Sequence, residues 1–320
     1  MRGSEKVCVL CGRRCFVNRS LGEKGRCGVG KEIKITHALL HGGEEPPISG
    51  TPPGGSGTIF FTRCNLSCVF CQNHKISQEA GAGEAIGRDR LVEIMFGLED
   101  MGAYNINLVS PTPYAPELAR AISSAKGKGL RVPVVYNTGG YDSLETLAIM
   151  DGLVDIYLPD AKIAPPKDAP EGDPDGRSMR LLDVGDYPWV NRAALLEMFR
   201  QVGHLTVDGE GLAVRGMLIR HLVLPDNLAR TRELLPWLRD NFGEDLVFTL
   251  MSQYYPTNRV RVGHNPEFRD FPGLGRPLSV KEYDVYVDDC LRLNLRNTII
   301  QDPESSNHYR PDFSKRDAFD

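Results

Sequence analysis

The residues best suited to chemistry in this sequence are its cysteines, and they are unevenly distributed. Seven of the eight lie within the first 71 residues, and only Cys290, on a predicted helix and interpreted as a structural thiol, stands apart. They form an N-terminal quartet and a later triplet: Cys8, Cys11, Cys15 and Cys27, then Cys64, Cys68 and Cys71. Three close thiols cannot all pair among themselves, and no secretory signal precedes them. We therefore expect a cytoplasmic protein in which both groups bind metal.

The cysteine triplet has the spacing CxxxCxxC and directly follows a short apolar strand predicted at 57–61. Three thiolates leave one iron of a [4Fe–4S] cluster without a protein ligand, so that iron is free to bind a reacting molecule. The aromatic residue before the third cysteine and the position at the carboxyl end of a strand both favour this interpretation. The alternatives are a zinc site with a distant fourth ligand and three unrelated core cysteines.

The N-terminal quartet has the spacing C-x2-C-x3-C-x11-C, which suits a closed tetrahedral zinc site that folds a short knuckle. A second iron–sulfur cluster, fully ligated by cysteine and serving as an electron relay, is the alternative, because spacing does not decide the metal. Basic residues lie between these cysteines. Solvation of a loop is the favoured role for them, and steering of an acidic electron donor is the alternative.

Apolar strands alternate with amphipathic helices along the rest of the chain. Strands are predicted at 57–61, 106–109, 132–136, 153–158, 217–224, 246–251 and 298–300. Helices are predicted at 91–101, from about 117 to 127, at 144–150, 191–202 and 228–240, and after a capping box at 279–282. A Pro-, Gly- and Asp-rich surface loop is predicted at 164–176. Six βα units in series predict an α/β fold whose parallel sheet is doubly wound or curled into an incomplete barrel.

Composition excludes some classes of partner. The chain has 320 residues, of which 38 are basic and 42 acidic, so the formal charge is −4 and nucleic acid is not an expected partner. No apolar run approaches the roughly 18 residues needed to span a bilayer, so no membrane association is expected. A hydrophobic fraction of 41% supports a substantial core in one large domain, or in a barrel with a small appendage.

Together with the triplet, several motifs resemble the radical S-adenosylmethionine (radical SAM) enzymes. The closer resemblance is to the PflX-like branch, which is similar to pyruvate formate-lyase activating enzymes. It covers almost the whole chain, through the N-terminal quartet, Glu44-Glu45-Pro46, 57–61, Cys71-Gln72-Asn73, 105–109, 136–141, 155–160 and 220–225.

The resemblance implies a partial (β/α)6 barrel at 51–301, with a Cys-rich extension at 1–50 and a C-terminal tail at 302–320. It also implies that a [4Fe–4S] cluster reductively cleaves SAM to a 5′-deoxyadenosyl radical, which abstracts hydrogen from a substrate. The expected partners are an electron donor such as flavodoxin or ferredoxin and a small-molecule or protein substrate. The alternatives are an activase that installs a glycyl radical on a partner enzyme, and an iron–sulfur accessory factor without turnover.

The resemblance also implies SAM contacts at the ends of the predicted strands. Lys162 is expected to meet the SAM carboxylate and Arg220 to lie near SAM, and these two are the catalytic candidates. The remaining candidates are Ser110, Thr112, Asn137, Thr138, Asp160 and Leu222. A solvated charge pair is the alternative for Asp160 and Lys162.

Two departures from the family pattern bear on the substrate. Ser110 and Thr112 stand where the family has a Gly-Gly-Glu turn, so their oxygens either replace that turn or cap the next helix. The literal Gly42-Gly43-Glu44 precedes the cysteine triplet and is not that turn. The sixth strand ends without the histidine of the activating enzymes.

Overall fold

A computed structural model describes residues 7–79, 81, 83–167, 172–260, 266–302 and 313. Their strands are β1 Ile33–His41, β2 Gly55–Phe61, β3 Glu84–Ile86, β4 Ala103–Val109, β5 Val134–Thr138, β6 Ile156–Pro159, β7 Thr206–Val207, β8 Ala213–Leu222, β9 Val247–Met251 and β10 Thr298–Ile300. Their helices are α1 Pro46–Ser49, α2 His74–Ser77, α3 Arg88–Asp100, α4 Ala115–Gly127, α5 Leu144–Met150, α6 Arg177–Leu182, α7 Tyr187–Val202, α8 Thr231–Phe242 and α9 Val280–Arg292.

The strands form one mixed sheet in the order β10-β9-β8-β6-β5-β4-β2-β1-β3, and β7 pairs with β8. Every pairing from β2 to β10 along this order is parallel, whereas β1, β3 and β7 pair antiparallel. The predicted α/β class with a parallel sheet is therefore confirmed. Six elements of the structure were not predicted from the sequence: β1, β3, β7, α1, α2 and α6.

The limits of β5 differ from the predicted 132–136 for a specific reason. Pro133 has no backbone N–H to donate to a ladder, so the strand begins at Val134 and runs two residues further than predicted. Asn137 and Thr138 are consequently the last residues of the strand. In the last helix the predicted capping box is present, with Ser279 and Glu282 each capping the other's backbone N–H.

The two faces of the sheet have different neighbours. One face shares a large apolar core with α3, α4, α7 and α8, in which Ile106, Leu108 and Ile219 are fully buried. On the other face the fully buried Ile48 of α1 packs with a cluster contributed by several strands: Val135, Ile156, Leu158, Ala213 and Leu218. This second face is where the candidate site lies.

Polar contacts fix α1 against the sheet. Asn105 of β4 donates its side-chain N–H to the carbonyl oxygen of Ile48 at 2.7 Å, and the Ser56 hydroxyl donates to Asn105 Oδ1 at 2.8 Å. His41, at the end of β1, pairs with Ser56 near the start of β2. The segment 42–50 therefore closes the side of the sheet where the parallel strands begin, whereas the cysteine triplet follows the end of β2.

Some predicted segments lie wholly or partly outside the described residues. Residues 168–171 of the predicted loop and most of the predicted 302–320 tail are among them, so the domain limits stay predictions. In the tail, the Phe313 ring lies 5.4 Å from the Phe60 ring, measured between centroids. No helix among the described residues has the length and apolar character needed to cross a bilayer.

We expect Ile48→Ala to destabilise the protein by about 2–5 kcal/mol, because it removes a fully buried side chain that anchors the 42–50 segment. Chemical denaturation measures the change. Leu291→Ala on α9, where the side chain is 74% exposed, is the control and should cost under about 0.5 kcal/mol. Equal losses in the two variants would show that Ile48 is not an anchor.

Candidate functional site

The loop that carries the cysteine triplet is held by backbone contacts from α6. The amides of Ser67 and Val69 donate to the carbonyls of Leu182 and Leu181 at 3.2 and 3.0 Å. The Cys68 carbonyl accepts further hydrogen bonds from the side chains of Gln78 and Asn258. These contacts bring distant parts of the chain together to fix the loop.

The three thiols of the triplet are free and held in apolar surroundings. Burial raises the pKa of Cys64 to about 11 and that of Cys68 to about 12, because it disfavours the thiolate. Backbone amides that donate hydrogen bonds to the sulfur atoms lower the pKa of these thiols. The Leu66 amide donates to Cys64 Sγ at 3.5 Å, and the Asn73 amide donates to Cys71. Thiolates become the favoured form once a positively charged metal offsets the cost of burial.

The donor set fits an iron–sulfur cluster that keeps one iron without a protein ligand. Each of the three thiols can bind a different iron of such a cluster. The three thiols, their amide donors and an adjoining cavity satisfy the needs of such a cluster.

Cys68 and Cys71 line a cavity of about 570 Å³ on the concave side of the sheet. The same cavity is lined by Asn137, Asp160, Lys162, Arg220 and Leu222, which the family resemblance implicates in SAM binding. The structure thus brings five of the eight predicted cofactor contacts together with two cysteines of the triplet. The volume is typical of sites for small molecules.

A chain of ion pairs runs through this cavity. Lys162 Nζ lies 2.6 Å from Asp160 Oδ2, and Asp160 Oδ1 accepts from Arg220 Nε at 3.0 Å. Arg220 also forms an ion pair with Glu44 at 3.1 Å and donates a hydrogen bond to Asn137 Oδ1 at 2.6 Å. The Asp160 and Lys162 side chains are 15% and 21% exposed, so the pair is not a solvated surface contact.

Neighbouring charges keep Asp160 and Lys162 ionised. Burial would raise the pKa of Asp160, but Arg220 and Lys162 hold it below its usual range. Burial would likewise lower the pKa of Lys162, but the negative charges of Asp160 and the triplet raise it above its usual range. Both side chains are therefore charged at neutral pH. Lys162 is the positive charge that faces the cysteines.

Glu44 shows that this face of the sheet is curved. Its Oε1 accepts from Asn107 of β4 at 3.1 Å and from Asn137 of β5 at 3.3 Å, while Oε2 meets Arg220 of β8. In a flat sheet β4 and β8, which have β5 and β6 between them, would be about 14 Å apart. One carboxylate reaches side chains from both because the sheet wraps around the cavity.

Glu45 is the second acidic residue that the site prediction missed. Its side chain is 7% exposed, and Oε2 lies 4.0 Å from Arg220 without forming a hydrogen bond to any described residue. Burial raises the pKa of Glu45 to about 7, and the neighbouring Glu44 adds to the shift, while Arg220 opposes it. The signal in the sequence was an acidic pair between two glycines and two prolines, which the analysis used only as part of the family resemblance.

Two threonines that were predicted to contact SAM donate their hydroxyls to a buried carboxylate, and their contact with SAM stays a prediction. Thr112 and Thr138 donate their hydroxyls to the buried carboxylate of Asp142 at 2.7 and 2.6 Å, and Tyr136 donates to it at 2.9 Å. A buried carboxylate needs such donors, so both hydroxyls are engaged away from the cavity. Ser110 lies apart from the cavity lining and hydrogen-bonds to the Cys64 side chain.

The N-terminal quartet lies at the same edge of the sheet as the triplet. Cys11 pairs with Asp142 after β5, and Arg13 Nε donates to the Asn65 carbonyl within the triplet loop at 2.7 Å. A small cavity of about 50 Å³ is lined by both Cys27 and Cys64. The two groups of cysteines are therefore neighbours in space although 37 residues separate the nearest members in the sequence (64 − 27).

The quartet repeats the local chemistry of the triplet. The amide two residues later donates to the sulfur of Cys11 and of Cys27, as it does at Cys64 and Cys71. Burial raises the pKa of Cys11 to about 12, and the other three thiols of the quartet are close enough to add to that shift. Metal binding by the quartet stays a prediction.

The basic residues near the quartet attach this segment to the rest of the chain. Arg13 and Arg26 both pair with Asp183 at 2.9 Å, and Arg14 pairs with Glu145 at 2.6 Å. Arg13 and Arg26 share one carboxylate, and Arg14 has a second one.

Sequence comparison finds a similar curated protein that is described as uncharacterized. The chain is 28% identical over 303 residues to the uncharacterized protein MJ0674 of Methanocaldococcus jannaschii, covering 91% of this chain and 76% of that protein. No protein-family model matches the chain.

Structure comparison finds distant likenesses to HydG and to SuiB. HydG, a maturase of the [FeFe]-hydrogenase, aligns at 14% identity and a TM-score of 0.45 over 74% of this chain and 48% of HydG. HydG from Carboxydothermus hydrogenoformans aligns at 14% identity and 0.47, over 77% and 53%. SuiB from Streptococcus suis, solved with the precursor peptide SuiA, aligns at 12% identity and 0.49, over 77% and 48%. The chain spans about half the length of these structures. With TM-scores below 0.5, the likenesses carry no weight for its fold or activity.

We expect Glu45→Gln to raise the thermal stability of the ligand-free protein at pH 8 more than at pH 5. With a folded-state pKa of about 7 against an ordinary 4.5, the carboxyl is protonated in the folded protein between these values, and above pH 7 it is held ionised at a cost. Melting temperatures under anaerobic conditions measure the difference. Glu93→Gln on exposed α3 should show no such pH dependence, and a pH-independent change in Glu45→Gln would contradict the assignment.

Proposed function

We propose that this protein is a radical SAM enzyme. The observation that carries the proposal is the cysteine triplet after β2, of which Cys68 and Cys71 line the cavity that is also lined by Lys162, Asp160 and Arg220. The motifs shared with the PflX-like branch support it. The curved sheet supports the finer proposal that β2 and the parallel strands after it form a partial (β/α)6 barrel around the cavity.

In this proposal the triplet holds a [4Fe–4S] cluster with one iron free of protein ligands. When bound, that cluster supplies the electron that cleaves SAM to methionine and a 5′-deoxyadenosyl radical. Lys162 offers a charged N–H to the SAM carboxylate, and Asp160 holds Lys162 in position through the ion pair at 2.6 Å. Leu222 provides an apolar contact at the cavity wall.

Two features of the cavity favour a small-molecule substrate. The 42–50 segment closes the side on which the strands begin. The ion pairs of Arg220 lie on the cavity lining next to the triplet. A closed interior also limits the access of water to a reactive radical. In this proposal a one-electron donor such as flavodoxin or ferredoxin reduces the cluster. An activase for a partner protein remains the alternative, since the sequence resembles activating enzymes.

We expect Cys64→Ala, Cys68→Ala and Cys71→Ala each to abolish the formation of 5′-deoxyadenosine, because three thiolates are the minimum that holds the cluster in place. The anaerobically reconstituted protein is incubated with SAM and dithionite, and 5′-deoxyadenosine is quantified by chromatography. Cys290→Ala removes a buried thiol away from the site and should retain both the cluster absorbance and the product.

The outcome that contradicts the proposal is a wild-type protein that binds the [4Fe–4S] cluster and SAM but forms no 5′-deoxyadenosine with a panel of candidate substrates. Product formation that survives in the three triplet variants would also contradict it.

We further propose that the N-terminal quartet binds metal independently of the triplet. A variant with all three triplet cysteines replaced by alanine should retain about one equivalent of bound zinc or one cluster, measured by elemental analysis. Additional replacement of Cys11 and Cys27 should release it. Bound zinc would indicate a structural site. Bound iron would indicate an electron-relay cluster beside the triplet. A folded triple variant without either metal would contradict the proposal.

A further inference from the structure

Three buried hydrogen-bonding atoms on the cavity lining have no hydrogen-bond partner among the described residues: Glu45 Oε2, Ser49 Oγ and Thr249 Oγ1. Their residues are 8%, 3% and 3% exposed. Buried polar atoms are almost always paired in folded proteins, because an unpaired one costs free energy. Three such atoms on one cavity indicate that a ligand supplies the missing partners.

Two of the three residues belong to α1 and the residue before it, and the third is on β9. Ser49 lies one helical turn after Glu45, and its amide donates to the Glu45 carbonyl at 3.0 Å. Thr249 of β9 is the register partner of Arg220 in β8, and Arg220 lies 4.0 Å from Glu45 Oε2. The triplet and Lys162 belong to the other side of the cavity, where the strands end. We call Glu45, Ser49 and Thr249 the acceptor group.

The local charge specifies what the ligand must carry. The cavity is lined by four carboxylates, Glu44, Glu45, Asp160 and Asp302, and by two cations, Arg220 and Lys162. Arg220 is already engaged by Glu44, Asp160 and Asn137, so Glu45 receives only a contact at 4.0 Å. A ligand that complements this group needs a positive charge, and it needs N–H donors because an ionised carboxylate only accepts.

A primary ammonium group meets both requirements, with one positive charge and three N–H donors for three acceptors. We propose that the acceptor group binds the primary ammonium of a small aliphatic amine, and that this amine is part of the substrate. The assignment to a substrate rests on the proposed function, whereas the binding of an amine does not.

SAM itself also carries an ammonium group, and the placement of the acceptor group favours the substrate as the source. Glu45 and Ser49 belong to the 42–50 segment at the side where the strands begin, whereas the triplet and Lys162 follow the ends of β2 and β6. The two possible sources of the ammonium group, substrate and SAM, predict different binding in the presence of SAM. A substrate amine binds together with SAM, whereas an amine that occupied the place of the SAM ammonium would compete with it.

The test measures the binding of n-hexylammonium, hexanoate and 1-hexanol to the anaerobic, cluster-loaded protein by calorimetry, with and without saturating SAM. We expect saturable binding of n-hexylammonium alone, with a dissociation constant that SAM changes by less than about threefold. Glu45→Gln should weaken binding by at least about tenfold, because it removes a charge-assisted hydrogen bond. Ser49→Ala and Thr249→Val should each weaken it by about three- to tenfold.

Glu93→Gln, on the exposed surface of α3, is the matched control and should bind n-hexylammonium like the wild type. Melting temperatures establish that each variant is folded. The proposal is overturned if n-hexylammonium does not bind, if hexanoate or 1-hexanol binds as tightly, if the folded Glu45→Gln variant is unaffected, or if SAM competes. Measurement of 5′-deoxyadenosine in the same preparations separates the two hypotheses. Product without amine binding overturns only this inference, and amine binding without product overturns only the proposed function.

Discussion

The interior of this protein is organised around the guanidinium of Arg220, which is held on a strand with little exposure to solvent. A charge in that position is costly unless it is paired on several sides. Arg220 is paired with Asp160 on β6 at 3.0 Å, with Glu44 at 3.1 Å, and with Asn137 on β5 at 2.6 Å. These partners come from separate segments, so neutralising one charge draws the strands and the 42–50 segment into a common cavity.

The arrangement separates two kinds of chemistry along the cavity. On the side where the strands end, soft thiols face the positive charge of Lys162 and fit a metal cluster. Toward α1, oxygen atoms of Glu45 and Ser49 have no hydrogen-bond partner among the described residues, and we propose that they bind a cationic group. The ion pairs of Arg220 connect Glu44 of the 42–50 segment to Asp160, which pairs with Lys162. The proposed reaction needs both sets of groups within one small volume.

The N-terminal quartet extends the cluster side of the site. Its segment is attached by Arg13 to the triplet loop and by Cys11 to the residues after β5. The buried Asp142 connects these features, because it accepts hydrogen bonds from Thr112 and Thr138 at the ends of β4 and β5. Threonines that the family resemblance assigned to SAM therefore support the edge of the sheet on which both groups of cysteines lie.

The sequence by itself determined the α/β class, most helix and strand positions, and the place of the cysteine triplet directly after a strand, because these depend on local spacing and periodicity. It also placed Asp160, Lys162 and Arg220 near strand ends, since the strands could be located from their apolar patterns. Only the tertiary structure decided that Glu44 and Glu45 enter the cavity and that Thr112 and Thr138 turn away from it. Those outcomes depend on which buried charge lies nearest in space, and Glu44 meets Arg220 across 176 residues of sequence.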